Sequence, residues 1–273
     1  MSLPFELIAL DLDLTLLNDD HEISPRNLAA VRRCREMGAK VVITSGRMYR
    51  CTMPYVRALG LEDAPVVAYN GAFIKQESTG EVLLHEHLDI ATAQSIVAYC
   101  ADVGLSLNYY LDDSLYIAST NPWAELYSSR TGAPLNPVGD LRIFADRAPT
   151  KVLIVDDPER IRQLQAELGP KYATYAYVTI SNVEYLEFMP PAVDKGKALS
   201  VVAAHYCIPQ EKVIAFGDAN NDIPLIRWAG TGVAMDNAKP DAKAVADRIA
   251  PRHDEDGVAV VLEELFGFAA SRV

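Results

Sequence analysis

Leu7-Ile8-Ala9-Leu10 is apolar at every position and runs directly into two acids, Asp11 and Asp13, with Thr15 two residues further on. A strand wetted on one face alternates apolar and polar side chains, so an unbroken run demands cover on both faces, as helices provide in a parallel sheet. In open parallel sheets ligands gather at the carboxyl ends of the strands. Asp11 and Asp13 fall at such an end. An isolated Asp-x-Asp fits a turn as well as a site, so the rest of the chain has to decide between them.

The pattern continues in the same style. Ser24-Pro25, then Leu28, Val31, Cys34 and Met37, then Gly38, predicts a helix with a serine cap, proline at its first position and a terminating glycine. Lys40 to Thr44 predicts a strand ending in Ser45-Gly46-Arg47, and Pro65 to Tyr69 another ending in Asn70-Gly71. Alternating strands and helices point to right-handed βαβ units. From Ala72 to Met189 strands instead adjoin one another: a hairpin around Ser78-Thr79-Gly80, helices near Ile90 to Val103, Asn121 to Arg130 and Pro158 to Leu168, and strands at Val152 to Val155 and toward Met189. The doubly wound pattern resumes with a helix near Gly196 to Tyr206 and strands at Val213 to Phe216 and Gly232 to Met235. The expected architecture is therefore α/β: a doubly wound, Rossmann-like parallel-sheet core over residues 1–83 and 190–273, with an inserted α+β domain over 84–189.

Composition narrows the class of partner. The 273 residues carry a formal net charge of -12, and the longest basic run is Arg32-Arg33, which disfavours nucleic acid, since that needs a basic stripe to displace counterions. A small anion is still admissible, because a local cluster of lysine, backbone N–H and metal sets the field in a cleft. Cys34, Cys51, Cys100 and Cys207 are scattered without a C-x-x-C pair, which fits a reducing, cytoplasmic setting. No leader-like segment or membrane-spanning run is expected, and the chain is expected to act as a monomer or homodimer.

Phe216-Gly217-Asp218 is a second apolar strand ending in an acid, with Asn221 and Asp222 close behind. If this strand neighbours the first, Asp11, Asp13 and Asp218 converge as an all-oxygen site, which suits Mg²⁺ better than zinc. Ser45-Gly46 and Asp194-Lys195-Gly196-Lys197 add a hydroxyl, backbone N–H groups and ammonium. A carboxylate attacking a phosphate monoester meets repulsion of about 4 kcal/mol per charge pair at ~4 Å and an effective dielectric of ~20. A divalent cation and a lysine offset that, so the set suits phosphoryl transfer. Either Lys195 or Lys197 could serve; two residues apart on a helix, they face different ways.

In order, these motifs resemble those of the haloacid dehalogenase superfamily, in the Cof-like branch of phosphatases with a large cap between the second and third motifs. Asp-x-Asp-Gly-Thr falls on Asp11 to Thr15, Thr/Ser-Gly-Arg on Ser45 to Arg47, Lys-Gly on Lys195-Gly196, and Gly-Asp-x-x-Asn-Asp on Gly217 to Asp222. Tyr69 to Gly71 and Gly232 to Ala238 also resemble the branch, whereas Leu14 and Asp236 stand where it usually has glycine. The resemblance implies a Mg²⁺-dependent phosphatase acting on small phosphate esters such as sugar phosphates. It assigns Asp11 as nucleophile and Asp13 as acid and base, selects Lys195, and gives Ser45 and Lys195 the transferring phosphoryl group. It places Mg²⁺ among Asp11, Asp13 through its carbonyl, Asp218 and Asp222, and gives Gly46, Arg47, Asn70, Gly71 and Asn221 to the substrate. A phosphomutase is the close rival. A phospho-accepting signalling or sensor protein is the rival of another class, and it would need neither the long insertion nor the Gly217 to Asp222 cluster. His85 and His87 share a strand face without an evident third ligand and are expected on a solvent-facing hairpin.

Overall fold

Strand β1 (Leu7–Asp11) is buried at every position, as its uninterrupted apolar sequence requires. The chain then runs through α1 (Pro25–Glu36), β2 (Lys40–Thr44), α2 (Tyr49–Leu59), β3 (Pro65–Ala68), β4 (Phe73–Gln76) and β5 (Val82–His85). The intervening segment contains α3 (Ile90–Val103), β6 (Ser106–Leu111), β7 (Ser114–Ile117), α4 (Pro122–Thr131), β8 (Leu135–Pro137), β9 (Lys151–Val155), α5 (Pro158–Tyr172), β10 (Tyr177–Asn182) and β11 (Tyr185–Met189). Last come α6 (Lys195–His205), β12 (Val213–Gly217), α7 (Ile223–Trp228), β13 (Thr231–Met235), α8 (Pro240–Lys243), β14 (Arg248–Ala250) and α9 (Gly257–Phe266). The structure is a computed structural model and describes residues 3–268.

These elements form two compact units. One takes the chain up to Gly46, Thr52–Leu84 and everything from Asp194; the other takes Arg47–Cys51 and His85–Val193. In the first, eight strands lie in the order β14-β13-β12-β1-β2-β3-β4-β5. Those from β14 to β3 are parallel, and β4 runs antiparallel to β3. The chain leaves β1 toward β2 on one side and comes back to β12 on the other, so the strand order reverses between β1 and β12. Such a switch point opens a crevice at the strands' carboxyl ends, and Leu10 pairs with Phe216 there.

The predicted cap of α1 is present: Ser24 Oγ accepts from the Asn27 N–H at 3.1 Å, with Pro25 beside it. Asn27 is wholly buried and ties this helix to two neighbours, donating to the Leu16 carbonyl at 3.3 Å and accepting from the Ala259 N–H at 2.9 Å. Arg26 adds a two-pronged contact to Glu263 at 3.1 and 2.6 Å. The segment that follows Asp11 is thus braced from behind by α1 and α9.

The second unit is α+β. Its six strands lie in the order β10-β11-β9-β6-β7-β8. Strict alternation sends Leu107, Tyr109, Val152, Ile154, Leu186 and Phe188 into a core with α3 and α5. The intervening residues Asn108, Tyr110, Lys151, Leu153 and Glu187 belong to the opposite face, and all are buried. Arg50, at the start of α2, groups with this unit: its N–H donates to Asp113 Oδ2 at 2.8 Å and its guanidinium to Ser114 Oγ at 3.1 Å.

Candidate active site

Beyond β1 the chain turns so tightly that Leu14 takes a left-handed conformation, φ 58 and ψ 17. For a residue with a Cβ this costs about 1–2 kcal/mol. The side chain itself is unhindered, being 47% exposed. Asp11 is buried at the strand end, whereas the Asp13 carboxylate is half exposed, with His21 Nδ1 3.7 Å from its Oδ1. One turn therefore delivers a sheltered acid and an accessible one.

Lys195 opens α6 behind its cap Asp194 and has no solvent exposure. Its Nζ donates to Asp11 Oδ1 at 2.6 Å and to Asp222 Oδ1 at 2.5 Å. The other Asp222 oxygen accepts the Asp218 and Ala219 N–H groups at 3.1 and 3.0 Å, which closes the turn after β12. That turn explains Gly217: a Cβ there would lie 2.4 Å from the Asp222 Cβ. Thr15 Oγ1 reaches Asp218 Oδ1 at 3.4 Å. Asp11, Asp218 and Asp222 each offer an oxygen, all within 4.8 Å of one another.

Three carboxylates around one ammonium leave the cluster short of positive charge. Burial, then the charge of Asp222, pushes Asp11 up to about 7 despite the opposing pull of Lys195. Burial, then the charges of Asp11 and Asp222, pushes Asp218 up to about 8. Burial acts to lower the Lys195 ammonium, yet Asp11 and Asp222 together hold it above its ordinary value. An all-oxygen donor set with this charge deficit fits a hard divalent cation. Asp222 has both oxygens already engaged, so Asp11 and Asp218 are the freer ligands.

Register pairs Asp11 with Thr44, which puts Ser45 one residue beyond the neighbouring strand end. The buried Ser45 donates its N–H to the Val67 carbonyl at 2.8 Å, and its carbonyl accepts the Asn70 N–H at 3.0 Å. Asn70, itself left-handed at φ 56, accepts from Asn221 Nδ2 at 2.8 Å and lies 2.9 Å from where a Cβ on Gly46 would be. A Cβ on Gly71, at φ 103, would meet the Asp194 carbonyl at 2.6 Å. Ser45, Gly46, Asn70, Gly71 and Asn221 therefore interlock within the first unit, while Arg47 groups with the second.

The family model for haloacid dehalogenase-like hydrolases matches residues 8–262. The chain belongs to that family. It is 31% identical over 269 residues to the 5-amino-6-(5-phospho-D-ribitylamino)uracil phosphatase YitU of Bacillus subtilis, covering 95% of this chain and 97% of the relative. With the HMP-PP phosphatase of Cronobacter sakazakii it shares 29% identity over 86% of each chain. A haloacid dehalogenase-like hydrolase from Bacteroides thetaiotaomicron superposes with a TM-score of 0.90 at 30% identity, over 96% of this chain and all of the other. The protein is a phosphatase enzyme of the haloacid dehalogenase-like hydrolases.

Both departures from the branch pattern are accommodated. Leu14 keeps a left-handed backbone in spite of its Cβ, and Asp236 makes an exposed contact with Lys243 at 2.8 Å. Of the two lysines, Lys197 is exposed and lies 3.7 Å from Asp194, whereas the buried Lys195 meets Asp11.

Proposed function

We propose that this enzyme is a cytoplasmic, Mg²⁺-dependent phosphatase that hydrolyses small phosphate monoesters, sugar phosphates among them, through an aspartyl-phosphate intermediate. The observation that carries this reading is Lys195 clasping Asp11 and Asp222 beside Asp218 in a buried, charge-deficient cluster. Asp11 is the nucleophile: its oxygen attacks phosphorus as the ester P–O bond breaks. Asp13 gives its proton to the departing alkoxide. In the second half Asp13 takes a proton from water as that water attacks phosphorus, freeing inorganic phosphate and the Asp11 carboxylate. The half-exposed Asp13 can exchange protons with solvent in a way the buried Asp11 cannot.

Lys195 and Ser45 hold the transferring phosphoryl oxygens, with Asn221, Gly46, Asn70, Gly71 and Arg47 around the ester. Asp11, the Asp13 carbonyl and Asp218 would hold Mg²⁺, supported by Asp222. When bound, the ion would supply charge neutralisation of the phosphoryl oxygens. The core is assigned to residues 1–83 and 190–273 and the cap to 84–189, with preference among esters residing in the cap. That two relatives are named for different phosphate compounds is in keeping with one family chemistry serving several esters.

Asp11→Asn tests the chemistry. It preserves volume and removes the attacking charge, so turnover should fall by at least about 10³-fold with the fold intact. Near-wild-type hydrolysis by that variant in Mg²⁺ would exclude the covalent route. Exchanging the block from about 84 to 189 should change the preferred ester while Mg²⁺ dependence persists; preference that stays with the core would assign specificity to the core instead.

A further inference from the structure

We propose that Asn237 is a positioning residue for the catalytic turn: its carboxamide bridges the Leu14 carbonyl and the His253 amide, and so holds the left-handed backbone that presents Asp13. Asn237 Nδ2 donates to the Leu14 carbonyl at 2.8 Å, and Asn237 Oδ1 accepts the His253 N–H at 3.0 Å. His253 is buried and continues the chain of contacts, its Nε2 lying 2.9 Å from Asp19 Oδ1 on the loop that follows the same turn. Two residues along, the Lys239 N–H donates to the Asp218 carbonyl at 2.8 Å. The loop after β13 therefore grips both acid-bearing strand ends, β1 through Leu14 and β12 through Asp218.

Leu14 gives this grip its importance. Glycine enters the left-handed region freely, whereas leucine does so only when its surroundings impose it. The orientation of the Leu14 carbonyl follows from its ψ of 17, so a donor fixed on that carbonyl opposes relaxation of the turn. Relaxation would swing the Asp13 peptide and carboxylate together. An amide suits this place, because its planar carboxamide donates through Nδ2 to one backbone group while Oδ1 accepts from another.

The proposal rests on Asp13 as the acid and base, and its test separates the two. Kinetics with p-nitrophenyl phosphate and Mg²⁺ should show kcat reduced about 10- to 100-fold in Asn237→Ala, with KM nearly unmoved, as expected for a misplaced group rather than lost binding. Asn237→Asp is isosteric, keeps the acceptor for His253 and loses the donor to Leu14, so it should fold and show a similar loss. In a Leu14→Gly background the effect of Asn237→Ala should shrink, since the turn no longer needs to be imposed. A folded Asn237 variant with wild-type kcat, or an equal loss in both backgrounds, overturns the proposal. Full turnover in Asp13→Asn would instead remove the acid and base role of Asp13 on which the proposal rests. Urea unfolding then decides the brace: non-additivity between Leu14→Gly and Asn237→Ala supports it, and additivity overturns it.

Discussion

Each unit of this protein buries a lysine against carboxylate, and the two do so with opposite charge balance. In the second unit, Lys151 donates to Glu187 Oε2 at 3.0 Å, Ser181 Oγ donates to the other oxygen at 2.7 Å, and the ammonium stands 5.0 Å from the centre of the Tyr110 ring. A buried cation here meets a buried anion. In the core, Lys195 meets Asp11 and Asp222 with Asp218 alongside, one cation among three acids. A balanced buried pair is complete in itself, and its contribution lies in packing and specificity. An unbalanced cluster stays costly until something positive arrives, which is how a binding site differs from a structural ion pair in the same chain.

The largest effect that would sharpen this contrast is in the second unit. Lys151→Met strands a buried Glu187 and should destabilise the protein by about 3–5 kcal/mol, whereas pairing it with Glu187→Gln removes both charges and should recover most of the loss. Urea midpoints measure both; a double variant as unstable as the single would mean that the pair is not self-contained. In the core, Mg²⁺ at about tenfold over its Kd should add about 1.4 kcal/mol to the unfolding free energy of the wild-type protein. Asp218→Asn should abolish that gain, while Glu187→Gln leaves it intact. Equal Mg²⁺ stabilisation in all three proteins would erase the distinction between the two clusters.

The smallest effect concerns pH. The His85 and His87 rings lie 3.8 Å apart, and burial followed by the His87 charge lowers His85 from 6.5 to about 4. The folded state thus resists protonating His85, so its contribution to stability is present above pH 6.5 and is lost as pH falls toward 4. His85 is only half buried, so solvent screening leaves about 1 kcal/mol of this. His85→Gln should flatten the stability profile in that window, and an unchanged profile would assign the dependence elsewhere.

How far the sequence could be read follows from which signals are local. The burial of β1, the Ser24 cap and the alternation in the second unit are properties of short segments, and each appears as expected. Of the hairpin histidines, His87 is exposed as expected, whereas His85 is half buried, with Nε2 2.9 Å from Thr150 Oγ1, a partner 65 positions away that no local pattern reveals. Lys151 stands at the start of an apolar run and Glu187 inside another, and no local pattern pairs two charges 36 positions apart. Asn237 lay within a recognised pattern, but its partners Leu14 and His253 meet only when three loops converge.

By itself the sequence determined the α/β class, the acids at two strand ends and the membership of Asp11, Ser45, Lys195 and Asp218 in one ordered set of motifs, because backbone periodicity and residue chemistry act over a few positions. Tertiary structure alone decided that β1 and β12 are neighbours, that Lys195 is clasped between Asp11 and Asp222, and that a leucine can occupy a left-handed turn held by an asparagine more than two hundred residues away. Those outcomes depend on distances between segments far apart in the chain, which burial and hydrogen bonding settle only once the whole sheet has formed.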